Sequence, residues 1–506
     1  MKKTITPIIL LALLLFSCFV SASPQYGGIL KMGTRLIQPS LDPHHDMGFG
    51  GFEKYVAFNT LIQYDQNLEF QAELAESWEI PDNITYIFYL RKGVRFHDGT
   101  EFNAEAVKWN FERMLSDYSQ VRTLFDVIDT IELIDDYTVK IKLKHPYAPF
   151  LDLVASNALM VSPAAVEKMG NEGFQKHPVG TGPFVFETLD RQKGELVFVK
   201  NENYWRESRP YLDKIIIREI PDDQTRLFAL QTGDIDYDNN VLTSNMDELR
   251  KTGNIKFVSI LGKSNTIDFL TFNCQEEPFN NKKVRQAVSY ALDQETIAQF
   301  IGHTELIYGP LPDTSWGSNP DKPVRKYDPE KARKLMIEAG YENGFSVKLK
   351  TWSNDPKRDD LALIVKEMLA EININVEIEV LETGTLFQQL MQNDFAFASM
   401  HWGGGGSLDP NGNLQLLFDS RSMYNWISNY RNIEVDTLLQ QALEITDRSE
   451  RQKLYWKAEE LIIEDQPMIW FGRFVDYIAY SSKVHGVEPL KPAGYFPFPD
   501  EIWIEN

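Results

Sequence analysis

A chain of 506 residues is too long for a single hydrophobic core and points to two or three lobes. With 43% hydrophobic and 25% charged residues it has the composition of a globular protein, which excludes a disordered one. A formal net charge of −22 repels phosphate backbones and anionic lipid headgroups, and so argues against nucleic-acid binding and against docking on a membrane surface.

The amino terminus, MKKTITPIILLALLLFSCFVSASPQYGG, places Lys2 and Lys3 before an apolar run from Ile8 to Val20. That run is shorter than the roughly 20 residues a membrane-spanning helix needs. Residues 1–22 therefore read as a secretory leader. Val20-Ser21-Ala22 offers small residues for cleavage before Ser23, while Leu15-Phe16-Ser17-Cys18 resembles a lipobox that would make Cys18 a lipid anchor. Either exit puts the mature protein outside the cytoplasm. Cys274 is the only other cysteine, so no internal disulfide is available and the body is expected to hold together by packing.

Strands and helices alternate from there on. ITYIFYLRKGVRF reads as a strand with Tyr86, Phe88 and Leu90 on one face, running into the turn dipeptide Asp98-Gly99. His97 and Asp98 stand side by side and invite an acid/base reading, but neighbours on a strand point to opposite sides, and a hydrogen-bonded turn is the better reading. Asn103 is placed to cap a helix whose stripe is Val107, Phe111, Met114 and Leu115. DTIELIDDYTVKIKLK reads as a hairpin turning at Asp135-Asp136. In PDDQTRLFALQTGDID, Asp222 or Asp223 caps a helix that Gly233 ends. In YDPEKARKLMIEAGY, Asp328 caps, Pro329 opens and Gly340 closes. DDLALIVKEMLAEI is helical and the following INVEIEVLE alternates as a strand.

Enzyme templates find no match. PVGTGPF and HWGGGGSLDPNGN lack the Lys-Ser/Thr pair of a phosphate loop, the eight histidines include no H-E-x-x-H, His44 and His45 are adjacent and poorly spaced for one metal, and no G-x-S-x-G elbow occurs. No metal or other cofactor is expected. Rings in polar, glycine-rich surroundings remain: Phe49 and Phe52 in DMGFGGFEKY, Trp352 in KTWSNDP, Trp402 in MHWGGGG, and Tyr424 and Trp426 in SMYNWISNY. Flat rings beside such backbone suit a cleft that grips an organic ligand.

The stretch ESWEIPDNITYIFYLRKGVRFHDGTEFNAEAV closely resembles the hallmark segment of the bacterial family 5 extracellular solute-binding proteins. These are the receptors of peptide, nickel and related ABC importers. HPVGTGPF, NENYWRESRPYLDKIIIREIPDDQTRLFALQTGDID, PFNNKKVRQAVSYALDQETI, YDPEKARKLMIEAGY and AEELIIEDQPMIWF continue the resemblance in order through nearly all of the chain. It implies an α/β, two-lobed periplasmic-binding-protein fold of the large type, with an extra subdomain in lobe I and a two-stranded hinge. By analogy lobe I covers 24–61, 182–270 and 477–506, the inserted subdomain 62–181 and lobe II 271–476. The hinge strands fall near DFLTFNC and FGRFVDYIAY, and His97 and Asp98 belong to the scaffold. The implied function is an extracytoplasmic, monomeric receptor that captures a solute between its lobes and delivers it to ABC permease subunits. The rival is a secreted hydrolase.

Ligand contacts carry over incompletely. Trp402 matches a ligand-binding Trp of peptide-binding relatives, but Gly405 stands where they place an Asp for the peptide amine. Asp409 looks like the later Asp-Pro of the pattern. The Arg that grips a dipeptide carboxylate in some relatives would fall near Trp352, with Lys357 and Arg358 a few residues on. Trp402, His401, Gly405, Asp409, Trp352, Phe49, Tyr424 and Trp426 are the candidate ligand-binding residues. A peptide ranks first, an oligosaccharide stacked on Trp352, Trp402 and Trp426 second, and a nickel chelate last, since only His401 lies near the expected site.

Overall fold

The computed structural model describes residues 23–45, 51–65, 67–241, 245–259, 265–302, 305–353, 356–403, 408–473, 477–488, 490–491 and 496–505. The leader, Cys18, Phe49 and Gly405 lie outside these residues.

Three larger sheets, each with its own hydrophobic core, organise the chain. The seven-stranded sheet runs, edge to edge, through Ile255–Ser259, Tyr477–Ser481, Tyr237–Val241, Ile29–Thr34, Lys214–Glu219, Glu195–Lys200 and Phe184–Asp190. Leu30, Phe184, Phe198, Ile215 and Ile478 are fully buried in its core. The five-stranded sheet runs through Ile374–Leu381, Phe345–Trp352, Phe397–Trp402, Ile267–Phe272 and Met468–Gly472. A four-stranded antiparallel sheet, Ala75–Asp82, Thr85–Leu90, Thr138–Leu143 and Ile128–Asp135, carries a separate core of residues between Leu61 and Met160, joined by Leu408.

The chain passes between the seven- and five-stranded sheets twice near the expected hinge, from Ser259 to Ile267 and from Gly472 to Tyr477. Both passages are short. In the five-stranded sheet, Phe345–Trp352 is parallel to both Ile374–Leu381 and Phe397–Trp402. Helices Pro356–Ala370 and Thr383–Met391 supply the crossovers such pairing requires.

Local signals in the sequence account for the elements. Asn103 accepts from the Ala106 N–H at 3.0 Å, and Val107, Phe111 and Met114 are fully buried. Asp222, not Asp223, caps its helix through the Thr225 N–H, because Asp223 is drawn to Arg35 and Arg226. Asp328 caps through Lys331 N–H, and Gly233 ends its helix in the left-handed conformation at φ +81°. Tyr86, Phe88 and Leu90 face one core, and Leu133 pairs with Val139 across the hairpin.

His97 and Asp98 are fully engaged in holding the fold. Gly180 N–H donates to His97 Nδ1 at 3.3 Å and His97 Nε2–H donates to the Gly182 carbonyl at 3.0 Å, which fixes a neutral tautomer. Asp98 accepts from Thr100 through one oxygen and from Ser162 through the other. Together they pin the turn after the four-stranded sheet's second strand to the segment that enters the seven-stranded sheet.

Candidate functional site

Parallel strands leave their carboxyl ends on one edge, where a crevice opens if the next elements turn aside. Phe397–Trp402 is the middle strand of its sheet, with Ala398, Ser399 and Met400 buried. His401 and Trp402 come last, at the rim. Segment 419–430 folds over that rim. Ser422 Oγ donates to the Leu416 carbonyl at 2.6 Å, and Thr271 Oγ1 donates to the Ile427 carbonyl at 2.7 Å. This brings Tyr424 and Trp426 beside the strand end.

The result is a cavity of about 760 Å³, within the range of small-molecule sites. One wall is a ring surface. Trp402 and Tyr424 meet edge to face at 5.1 Å, and Phe387 and Trp426 at 6.1 Å, with Met400 and His401 between them in the lining. Trp402 is oriented by its indole N–H, which donates to the Gly412 carbonyl at 2.9 Å. Burial pushes the Tyr424 hydroxyl's pKa up, so it stays protonated and able to donate.

The opposite wall belongs to the four-stranded sheet's body. Val121, Leu124 and Val127 give it an apolar floor, and Asp126, Lys144, His145 and Tyr147 give it polar groups. Asp126 and Lys144 form an ion pair at 3.0 Å. His145 Nδ1 contacts the Pro146 carbonyl oxygen at 3.1 Å.

His401, Trp402, Tyr424 and Trp426 thus come together in one cavity. Trp352 does not line it. Trp352 packs on the core of the five-stranded sheet with the Arg358 guanidinium 4.6 Å over its ring. Arg358 pairs with the buried Asp268, and Asp268 accepts from His401 Nδ1 at 3.0 Å. Trp352 therefore reaches the cavity only through a chain of three side chains.

Asp409 is also off the main cavity. It accepts from Arg451 at 2.8 Å and from the Asn411 N–H at 3.0 Å, and it lines a second, smaller cavity of about 210 Å³ with Tyr64, Asp152, Trp316 and Arg448. Between the two cavities the bodies touch. Asn411 Nδ2 donates to the Tyr147 hydroxyl at 3.3 Å, Ala148 N–H to the Leu443 carbonyl at 2.7 Å, and Leu408 is buried in the other body's core.

The apolar wall at 121–127, Phe387 and the Asp268–Arg358 link were not among the expected site residues. Val121, Leu124 and Val127 carry no sequence signal that separates a cavity wall from a core. Among the described residues no group of three or more His, Cys, Asp or Glu side chains is arranged to hold a metal ion.

Comparisons with known proteins show what the chain is similar to. Residues 69–425 match the family model described as "Bacterial extracellular solute-binding proteins, family 5 Middle". The chain is 32% identical over 464 residues to "Glutathione-binding protein GsiB" of Pectobacterium atrosepticum, covering 88% of this chain and 87% of the relative. It is 31% identical over 478 residues to "Heme-binding protein A" of Haemophilus influenzae, covering 87% and 86%. Among solved structures it is similar to the ABC transporter-associated periplasmic binding protein DppA from Helicobacter pylori in complex with the peptide STSA. There the TM-score is 0.80 at 29% identity, over 95% of this chain and 99% of the other.

Proposed function

The chain belongs to the bacterial extracellular solute-binding proteins of family 5, and from that premise we propose that it closes on a small peptide or peptide-like solute in the ring-walled cavity and passes it to an ABC permease. The observation that carries this reading is the cavity itself. A ring wall at the carboxyl ends of parallel strands faces a wall from a separate body, and the sheets are linked by two short passages. Relatives named for glutathione and a neighbour holding a four-residue peptide support a ligand of small-peptide size.

The lobe division follows the cores. Lobe I is 24–61 and 182–259 with 477–506, and the inserted subdomain is 62–181. Lobe II, expected at 271–476, is given instead to 267–472, because Ile267–Phe272 and Met468–Gly472 pair wholly within the five-stranded sheet. The two passages between them act as the hinge. His401, Trp402, Tyr424 and Trp426 contact the ligand directly. The protein acts as a monomer, exported by its leader with ordinary cleavage before Ser23 or anchored at Cys18, and leaves its ligand chemically unchanged. An oligosaccharide is the second reading, favoured by two indoles, Trp402 and Trp426, on one wall.

Micromolar capture requires about 8 kcal/mol net, which a closed cavity with apolar walls on both sides can supply. A thermal-shift screen tests the choice, since a ligand that binds only the native form raises the melting temperature by mass action. Glutathione and peptides from dipeptide to nonapeptide are expected to raise it. A rise with oligosaccharides alone transfers the assignment to them, and turnover of a bound compound contradicts the receptor reading.

A further inference from the structure

Apart from the ring-walled cavity, we infer that the smaller cavity is a second binding site, which takes an uncharged molecule with an apolar body and a carbonyl or similar acceptor oxygen. Its walls come from two bodies. The four-stranded sheet's body supplies Tyr64, Tyr86 and Asp152, and Trp316, Asp409 and the start of helix Arg448–Asp465 face them. The contact through Leu408 and Asn411 separates it from the main cavity.

Two buried donors in this lining lack a partner. Tyr86 packs its ring on Phe150 at 4.6 Å and is 1% exposed, yet its hydroxyl makes no hydrogen bond among the described residues. Burial pushes that hydroxyl's pKa up to about 12 against the nearby Arg451 charge, so it keeps its proton. Arg451, 5% exposed, spends Nε on the Ala442 carbonyl at 3.0 Å and Nη2 on Asp409 at 2.8 Å and the Tyr455 hydroxyl at 2.7 Å. Its Nη1 has no partner among the described residues. A guanidinium can only donate, and a buried donor left unmet is costly, so a guest that brings an acceptor relieves both groups.

The charges decide against an acid or an amine. Glu69 pairs with Arg448 at 3.4 Å, Asp409 pairs with Arg451, and Asp152 accepts from the Tyr64 hydroxyl. Three lining carboxylates against two guanidiniums leave no positive charge for an entering anion. An ammonium would leave both free donors unmet. Leu68, Phe70, Ile80 and Leu151 receive the apolar body, opposite a Trp316 ring that the Arg448 and Arg451 guanidiniums hold at 4.8 and 5.2 Å.

Calorimetry with 4-phenylbutan-2-one and 3-phenylpropionate tests this, because the two share a phenylethyl body and differ in a methyl ketone against a carboxylate. The ketone is expected to bind one to one, and the acid at least about tenfold more weakly. Tyr86→Phe is expected to weaken the ketone about fivefold with the melting temperature unchanged. Ile80→Trp fills the cavity from a lining position that is 41% exposed, and is expected to abolish ketone binding even should Tyr86→Phe lose its fold. No binding at millimolar ketone, an acid that binds as well as the ketone, or ketone binding left unchanged by a folded Tyr86→Phe or Ile80→Trp overturns the inference. None of these results bears on the peptide screen, so the receptor reading stands or falls separately.

Discussion

His97 shows how a residue that looks reactive in the sequence is spent on structure. Both ring nitrogens are bonded to backbone groups of Gly180 and Gly182, and burial holds the imidazole's pKa down at about 4, well below its ordinary value of 6.5. A base that is harder to protonate folded than unfolded contributes stability above pH 6.5 and loses it as the pH falls toward 4. His44, also buried and lowered to about 4, adds to the same loss, whereas Glu459, raised by burial to about 8, acts in the opposite sense as the pH rises. Comparing wild type with His97→Gln by urea unfolding between pH 7 and 4 cancels the other groups. The difference in stability is expected to be largest at pH 7 and to shrink toward pH 4, and a constant difference would mean His97 is not the group titrating. Trp402 is the residue whose removal reports most directly on the ring wall. Trp402→Ala is expected to weaken ligand binding by at least about 1 kcal/mol with a small change in melting temperature, as measured by titration.

Among the elements, the segment from Leu408 to Asn411 joins the two bodies. It follows directly on the glycines after Trp402, buries Leu408 in the four-stranded sheet's core, fastens Asp409 to Arg451 and sends Asn411 to Tyr147. Leu408→Ala removes an apolar anchor without touching the main cavity. Ligand affinity is expected to fall about tenfold, on the low side of a Leu→Ala core substitution, with the solution radius in the presence of ligand increased. Unchanged affinity and radius would mean the contact does not hold the bodies together. Elements of this kind were legible where the signal is local. The caps at Asn103, Asp222 and Asp328, the left-handed exit at Gly233 and the hairpin at Asp135-Asp136 each depend on neighbours within a few residues. The candidate site was half legible. Trp402 stands out because a ring beside glycines is poor core material, and Tyr424 and Trp426 because they sit among Ser and Asn residues. The wall at 121–127 is apolar like any core, and only long-range packing decides that it faces space. Trp352 carried the same ring signal, but Arg358, six residues on, came back over it, and no periodicity announces that return.

At the scale of the molecule, the cores of the three larger sheets are held by packing: among the described residues the one cysteine, Cys274, is free and buried. Burial also lifts the Cys274 thiol's pKa to about 11, which keeps it unreactive. A thiol reductant is therefore expected to leave the melting temperature unchanged, and a drop would reveal a covalent link between chains. Membership of the solute-binding family, together with the proposed function, gives the separate cores a purpose: to meet over a guest. Co-crystallisation with the peptide that gives the largest thermal shift puts this to the most direct test. Density for one unaltered molecule is expected between Trp402, Tyr424 and Trp426 on one side and the 121–147 wall on the other. A saturated crystal whose ligand lies elsewhere, with that cavity filled only by solvent, would contradict it.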